Sequence, residues 1–241
     1  MNICGYQKTT LLDYPGHVAA TIFTGGCNFR CPFCHNCDLI VSSSPANNIS
    51  EEEIFMFLKK RKKVLSGVCI TGGEPSLQAD LADFIKKVRE LGYKIKLDTN
   101  GYRPKVIAEL IEQNLLDYIA MDIKAGYSNY SNVSGVPNLS IDNIKNSIFI
   151  IENSAISYEF RTTVVKELHK ETDFEEIATM ISPKSPYFIQ SFKDSGNILL
   201  PGLSSCEVTT LNRYLSIVKE KMPNASLRGI DLKSCFLMSE K

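Results

Sequence analysis

Six short apolar runs recur along the chain: His17–Thr24, Gly67–Thr71, Lys94–Asp98, Tyr118–Ile123, Tyr158–Val165 and Tyr187–Phe192. They are rich in β-branched and aromatic residues and end in polar or glycine-containing turns, the pattern of strands. Helical patterning fills the intervals. Leu77, Leu81, Phe84, Ile85, Val88 and Leu91 form one apolar stripe that Gly92 terminates. Ser50–Glu53, Thr172–Glu175 and Ser204–Glu207 read as capping boxes, and Pro104 suits the first turn of a helix over Lys105–Leu116. Strands alternating with helices predict an α/β fold with a parallel sheet. Periodicity does not separate a partial (β/α)6 barrel from an open, doubly wound sheet. No internal repeat, low-complexity tract or linker interrupts the chain, so residues 1–241 are expected to form a single domain. The longest polar connection, Gly126 to Ser140, has the length of a functional or mobile loop.

Composition removes several classes of function. Lys+Arg and Asp+Glu both number 27, so no bulk field draws the chain to nucleic acid or an anionic membrane. The basic run Lys59-Lys60-Arg61-Lys62-Lys63 ends a predicted helix, where it complements the negative end of the dipole. Neither a signal peptide nor a membrane-length apolar stretch is apparent, so a cytoplasmic protein is expected. In that reducing compartment, eight cysteines argue for metal or redox chemistry rather than disulfides. Cys4, Cys69, Cys206 and Cys235 are scattered, and Cys69 sits in an apolar run as a small buried hydrophobe. With no second tight cysteine cluster, no auxiliary metal cluster is expected.

The other four cysteines crowd together. Cys27-Asn28-Phe29-Arg30-Cys31-Pro32-Phe33-Cys34 follows the first strand and a Thr24-Gly25-Gly26 turn. Three thiolates from such a loop could hold three irons of a [4Fe–4S] cluster and leave the fourth open to an exogenous ligand. Cys37 adds a fourth thiol, and four cysteines would equally suit a zinc knuckle. These residues alone leave both readings open.

Parallel α/β folds bind ligands at the carboxyl ends of their strands. The second run ends in Thr71-Gly72-Gly73-Glu74-Pro75, where glycines permit close backbone approach and Glu74 can accept from an ammonium. The third ends in Asp98-Thr99-Asn100-Gly101, and the fourth in Asp122-Ile123-Lys124. Period two puts Asp122 and Lys124 on one face, where they could pair with each other or with a ligand. Arg161, on the fifth run, could clamp a carboxylate or form a structural bridge. A plain strand-to-helix turn would also account for the glycines, and His17 and His169 read as structural histidines.

The cysteine spacing CxxxCxxC, with Phe33 before the third cysteine, resembles the signature of radical S-adenosylmethionine (SAM) enzymes. In that family the open iron chelates SAM, and one electron splits its sulfonium to give a 5′-deoxyadenosyl radical. Gly72-Gly73-Glu74-Pro75 is similar to the family's GGEP segment, which holds the methionine amine. Asp98-Thr99-Asn100-Gly101 and Met121-Asp122-Ile123-Lys124 resemble segments of the glycyl-radical-enzyme activating proteins. The entry segment Leu12-Asp13-Tyr14-Pro15-Gly16 resembles those of the anaerobic ribonucleoside-triphosphate reductase activating proteins, although it also passes as a turn. Two departures stand out. Cys37 occupies a position where proline is common, and Ile189-Gln190-Ser191-Phe192 lacks the histidine that pyruvate formate-lyase activases place near the SAM ribose.

The resemblance implies a partial (β/α)6 barrel carrying a [4Fe–4S] cluster and SAM, with Cys27, Cys31 and Cys34 as iron ligands. It implies that Phe33 packs near the adenine, with backbone from Phe33 to His35 on the base. Gly72, Gly73 and Glu74 would hold the amine, and Asp98, Asp122, Lys124 and Arg161 the carboxylate and ribose end. Implied partners are a glycyl-radical enzyme, above all an anaerobic ribonucleotide reductase, and an electron donor such as flavodoxin or ferredoxin. The alternatives are radical modification of a small molecule or another peptide, and a zinc-stabilised binding module.

Overall fold

The computed structural model describes residues 1–41, 48–194 and 196–230; Cys235 lies outside them. They fall into two compact units. The first comprises residues 1–30, 36–121 and 142–158, and the second residues 31–35, 122–141 and the chain from 159 onward.

In the first unit, β2 (Ala19–Thr24), β3 (Gly67–Gly72), β4 (Lys94–Thr99) and β5 (Tyr118–Asp122, as far as Met121) lie side by side and parallel. Their registers run Ala19 beside Gly67, Gly67 beside Lys94, and Lys96 beside Tyr118. These are four of the six expected runs. An additional edge strand, β1 (Ile3–Thr10), pairs antiparallel to β2, with Ile3 opposite Thr24 and Thr10 opposite Ala19. Its exposed Gln7-Lys8-Thr9 stretch breaks the apolar pattern, which is why periodicity overlooks it. Helices α1 (Cys37–Val41), α2 (Glu51–Arg61), α3 (Leu81–Glu90), α4 (Pro104–Glu112) and most of α6 (Ile141–Glu152) also belong to this unit. Ile22, Val68, Ile70, Ile95, Leu97 and Ile119 of the strands are buried, as are Leu58, Phe84, Ile85, Val88 and Ile107 of the helices. The segment before β2 is more than a turn. Tyr14 is buried against the rings of His17 and Tyr118, its hydroxyl reaches Ile95 O, and a side chain at Gly67 would strike its ring. It packs against the amino ends of β3, β4 and β5.

In the second unit, β6 (Ser157–Val164, from Glu159 onward), β7 (Tyr187–Ser191) and the short β8 (Ser226–Arg228) are parallel. Phe160 pairs with Tyr187, and Phe188 with Ser226. At three residues β8 is too short for a periodic signal. Helices α5 (Tyr130–Ser134), α7 (Glu171–Met180) and α8 (Val208–Lys219) complete this unit. Phe174 of α7 stacks on Tyr214 of α8 with centroids 4.3 Å apart.

Of the three expected capping boxes only the first is used where it was expected, and only by half: Ser50 Oγ accepts the Glu53 N–H, while the Glu53 carboxylate accepts from the Tyr6 hydroxyl. Helix α7 starts two residues earlier than Thr172 suggests, where Asp173 accepts the Lys170 N–H. Ser204 gives both its N–H and its hydroxyl to Glu167, so α8 begins at Val208 without it. A longer-range acceptor outcompetes the local one in that case. The expected Lys105–Leu116 helix runs from Pro104 to Glu112, and Asn114, at φ 54°, turns the chain out of it.

Candidate functional site

The first unit carries Cys27 on the loop leaving β2. The Phe29 N–H points at its sulfur from 3.4 Å, and the Asn100 amide lies 4.0 Å away while donating to Asn28 Oδ1. Donors aimed at sulfur are what tune a thiolate that holds iron. The Arg30 guanidinium folds back onto the carbonyls of Cys27 and Phe29, and the buried Phe29 ring meets Tyr102 edge-on. The Asn100–Tyr102 segment after β4 thereby fixes the start of the cysteine loop.

The glycines after β3 have a structural reason. A Cβ on Gly72, whose φ is +117°, would lie 2.3 Å from Thr24 N, and one on Gly73 would lie 2.0 Å from Gly26 O. The ends of β2 and β3 touch backbone to backbone, with Gly73 N–H donating to Thr24 O and Glu74 N–H to Gly26 O. Glu74 is only 1 % exposed. Its Oε1 accepts from Ser76 N–H and Thr99 Oγ1, and its Oε2 from Asn100 N–H. It thus laces the end of β3 to the end of β4. Burial raises its pKa despite these donors. Asp98, also on β4, binds the ammonium of Lys96, a nearly fully buried lysine that also approaches Cys69 Sγ.

The second unit carries Cys31, Cys34, Phe33 and His35. Cys34 N–H donates to Cys31 O, a tight turn that carries both cysteines. Cys31 and the Phe33 ring are buried, and Phe33 packs edge-on to His169 and Phe192. His35 lies 5.3 Å from the Phe192 ring, and burial lowers its pKa against the opposing charge of Asp194. His169 is a satisfied structural histidine: its Nδ1 accepts the Val165 N–H, which leaves Nε2 to donate to Lys124 O.

Asp122, Lys124 and Arg161 converge in this unit. Arg161 Nε donates to Asp122 Oδ1, and Lys124 Nζ to Asp122 Oδ2 at 3.0 Å. Burial opposes ionisation of Asp122, but the Arg161 and Lys124 charges outweigh it and hold its carboxyl well below the ordinary range. Burial likewise disfavours the Lys124 ammonium, yet the charges of Asp122 and Cys31 more than offset it and raise its pKa. Tyr130, buried in α5, shares this surrounding; burial raises its pKa, with Lys124 opposing. The expected pairing across one strand face is therefore present, with Arg161 as a third member.

The Gly126–Ser140 connection is pinned rather than open. Asp173 accepts from Gly126 N–H and the Asn129 amide, Glu176 accepts from Ser128 N–H, and α5 lies within the segment. Sequence reasoning passed over Lys96, Tyr130, Glu159 and Arg228. The period-two rule that flagged Asp122 with Lys124 also flags Lys96 with Asp98 and Glu159 with Arg161; nothing in the sequence marks Arg228.

None of the described cysteines is in a disulfide. Among the described residues no three His, Cys, Asp or Glu side chains are already gathered as a metal site. Cys27, Cys31 and Cys34 supply three thiols, the donor type and number that an iron–sulfur cluster with one open iron takes. No described helix is long and apolar enough to cross a membrane.

A family model described as the radical SAM superfamily matches residues 21–181. A Methanocaldococcus jannaschii protein named "putative glycyl-radical enzyme activating enzyme" is 32% identical over 236 residues, covering 95% of this chain and 96% of that one. A Saccharolobus solfataricus protein named "probable GTP 3′,8-cyclase" is 31% identical over 132 residues, covering 52% of this chain and 41% of its own length. Among solved structures, Streptococcus suis SuiB bound to precursor peptide SuiA superposes with a TM-score of 0.67 at 16% identity. That match covers 90% of this chain and 50% of SuiB, so the chain spans about half of SuiB's length. TYW1 with a lysine-pyruvate adduct superposes with a TM-score of 0.60 at 17% identity, covering 88% of this chain and 76% of TYW1. SuiB has also been solved bound to S-adenosylmethionine. The expected α/β fold of the partial-barrel type is the fold these likenesses share.

Proposed function

The chain belongs to the radical SAM superfamily, whose members use a [4Fe–4S] cluster and S-adenosylmethionine, and from that premise we propose that it activates a glycyl-radical enzyme. The observation carrying this reading is the end-to-end similarity to a protein named as such an activase, 95% of one chain against 96% of the other. The cyclase similarity, by contrast, stops at half of this chain.

In this reading Cys27, Cys31 and Cys34 ligate three irons, and Cys37 stays out of the cluster. Bound there, the cluster and SAM would supply the one-electron chemistry needed to abstract hydrogen from a glycine Cα of the partner. The backbone from Phe33 to His35 takes the adenine. Gly72, Gly73 and Glu74 serve the methionine amine, and Asp98, Asp122, Lys124 and Arg161 the carboxylate and ribose. The ammonium of Lys124, held charged by Asp122, suits a ligand carboxylate. Asp122 orients Lys124 and Arg161 and keeps either from swinging into solvent. The partner would be an anaerobic ribonucleotide reductase, the electron donor a flavodoxin or ferredoxin, and the compartment the cytoplasm.

The test is anaerobic reconstitution followed by assay of SAM cleavage with and without candidate glycyl-radical proteins. The expected result is about four irons per chain and a doublet in electron paramagnetic resonance on the partner polypeptide. Efficient turnover of a small metabolite or free peptide, with no radical on any partner, would overturn the activase reading and leave the family intact. Stoichiometric zinc without iron would favour the binding-module reading.

A further inference from the structure

Glu159 is 2 % exposed and sits beside two arginines. Arg228, at the end of β8, grips it with both prongs, Nη1 to Oε1 and Nη2 to Oε2, each at 2.9 Å. The guanidinium carbon also stands over the Phe188 ring, 3.7 Å from its centroid. A planar fork fixed on one side by a carboxylate and on the other by an aromatic face has little freedom left. Arg161 Nη1 stands 3.9 Å from Glu159 Oε1, beyond hydrogen-bond distance, while its Nε is committed to Asp122. Arg228, Glu159, Arg161, Asp122 and Lys124 thus form an alternating row of charges running from β8 through β6 to the end of β5.

We infer that Arg228, acting through Glu159, is a positioning residue for Arg161 and therefore for the Asp122–Lys124 pair. By occupying both Glu159 oxygens, Arg228 leaves Arg161 available to Asp122. Without it, a buried carboxylate loses its bidentate cation and draws in Arg161, which is already within reach. Arg161 then shifts off Asp122, and Asp122 turns its full charge on Lys124. The side chain that presents the cation is thereby withdrawn from any anionic ligand. Where that ligand is the SAM carboxylate, which rests on the reading above, affinity falls.

The experiment compares Arg228→Met, Arg228→Lys and the double variant Glu159→Gln/Arg228→Met in the full chain, each checked for folding by circular dichroism. One readout needs no ligand: the acylation rate of Lys124, followed by peptide mass spectrometry against exposed lysines such as Lys86. Arg228→Met should slow Lys124 acylation several-fold, since a tightly paired amine is a poor nucleophile. Arg228→Lys should fall between Arg228→Met and wild type, because an ammonium cannot grip both oxygens. The double variant should return to the wild-type rate, because the neutral amide that replaces the Glu159 carboxylate no longer attracts Arg161. The second readout is SAM binding to the reconstituted protein. It should weaken about tenfold in Arg228→Met, the scale of one charge-assisted hydrogen bond, recover in the double variant, and leave iron content unchanged throughout. Unchanged Lys124 acylation in the folded variants overturns the relay. If Arg228→Met does not fold, an unchanged rate in folded Arg228→Lys does the same. An altered acylation rate in a protein whose wild type does not bind SAM keeps the relay and overturns the functional reading.

Discussion

Replacing Glu74 tests how the ends of β3 and β4 are held together. Its carboxylate accepts Ser76 N–H at 3.0 Å, Thr99 Oγ1 at 2.7 Å and Asn100 N–H at 2.7 Å, all from buried donors. The Thr99 hydroxyl oxygen in turn accepts the Gly101 N–H, so its proton has to point at Glu74. Glu74→Ala strands two backbone donors and one hydroxyl, at about 1–3 kcal/mol for each one left dry. Relief of burying a charge and entry of water reduce the sum, and a net loss of about 3 kcal/mol is expected. Glu74→Gln keeps one acceptor but sets an NH2 against a donor, for a loss of about 1–2 kcal/mol. Because burial raises the Glu74 pKa above its ordinary 4.5, the folded state holds this proton more tightly than the unfolded chain. Its contribution to stability is therefore greatest below 4.5 and declines as pH rises through the raised folded value. Glu74→Gln removes that slope. Urea denaturation of the full chain, followed by circular dichroism across this pH range, measures both effects. A Glu74→Ala variant within about 0.5 kcal/mol of wild type, or a slope unchanged in Glu74→Gln, would refute the brace.

Three further outcomes are expected. Cys37→Ala keeps the iron of the reconstituted protein and Cys31→Ala loses it, as read by iron analysis and visible absorption; cluster loss in Cys37→Ala would reassign the open iron. Lys124→Ala weakens SAM binding by about 1.5–3 kcal/mol, one charged hydrogen bond, with iron content unchanged; wild-type affinity in a calorimetric titration would reduce the Asp122–Lys124 pair to a structural bridge. Asp173→Ala frees the Gly126 and Lys170 N–H groups and the Asn129 amide together, so protease cleavage within 126–140 should accelerate strongly relative to the rest of the chain, and an unchanged pattern would mean that other contacts hold this segment.

The parts of the fold legible in the sequence are those where burial is strong and periodic. The six apolar runs coincide with β2 to β7, and the Leu81–Val88 stripe with the buried face of α3. The elements at the margins were not legible. The β1 strand is half solvent-exposed and β8 spans three residues, so neither carries enough apolar repetition to register. One capping signal failed because a distant acceptor was stronger than the local one. Ser204 satisfies Glu167 across 37 residues instead of starting α8. A motif four residues long cannot encode that competition, because the winner is decided by chain segments the motif does not contain.

The site shows the same division between what a strand imposes and what tertiary contact adds. A strand's two-residue period puts Asp122 with Lys124, Lys96 with Asp98 and Glu159 with Arg161 on shared faces, and each opposite-charge pair meets within 4 Å. Those pairs were available from spacing alone. Which pair serves a ligand and which serves the fold depends on the third partner, and that partner comes from another strand. Arg161 joins Asp122 from β6, and Arg228 joins Glu159 from β8. Glu74 illustrates the converse. Its GGEP context suggests a ligand acceptor, yet three protein donors already converge on it. A carboxylate so engaged can still accept from an ammonium through a remaining lone pair, and bracing the loop is then the condition for presenting that lone pair in a fixed direction.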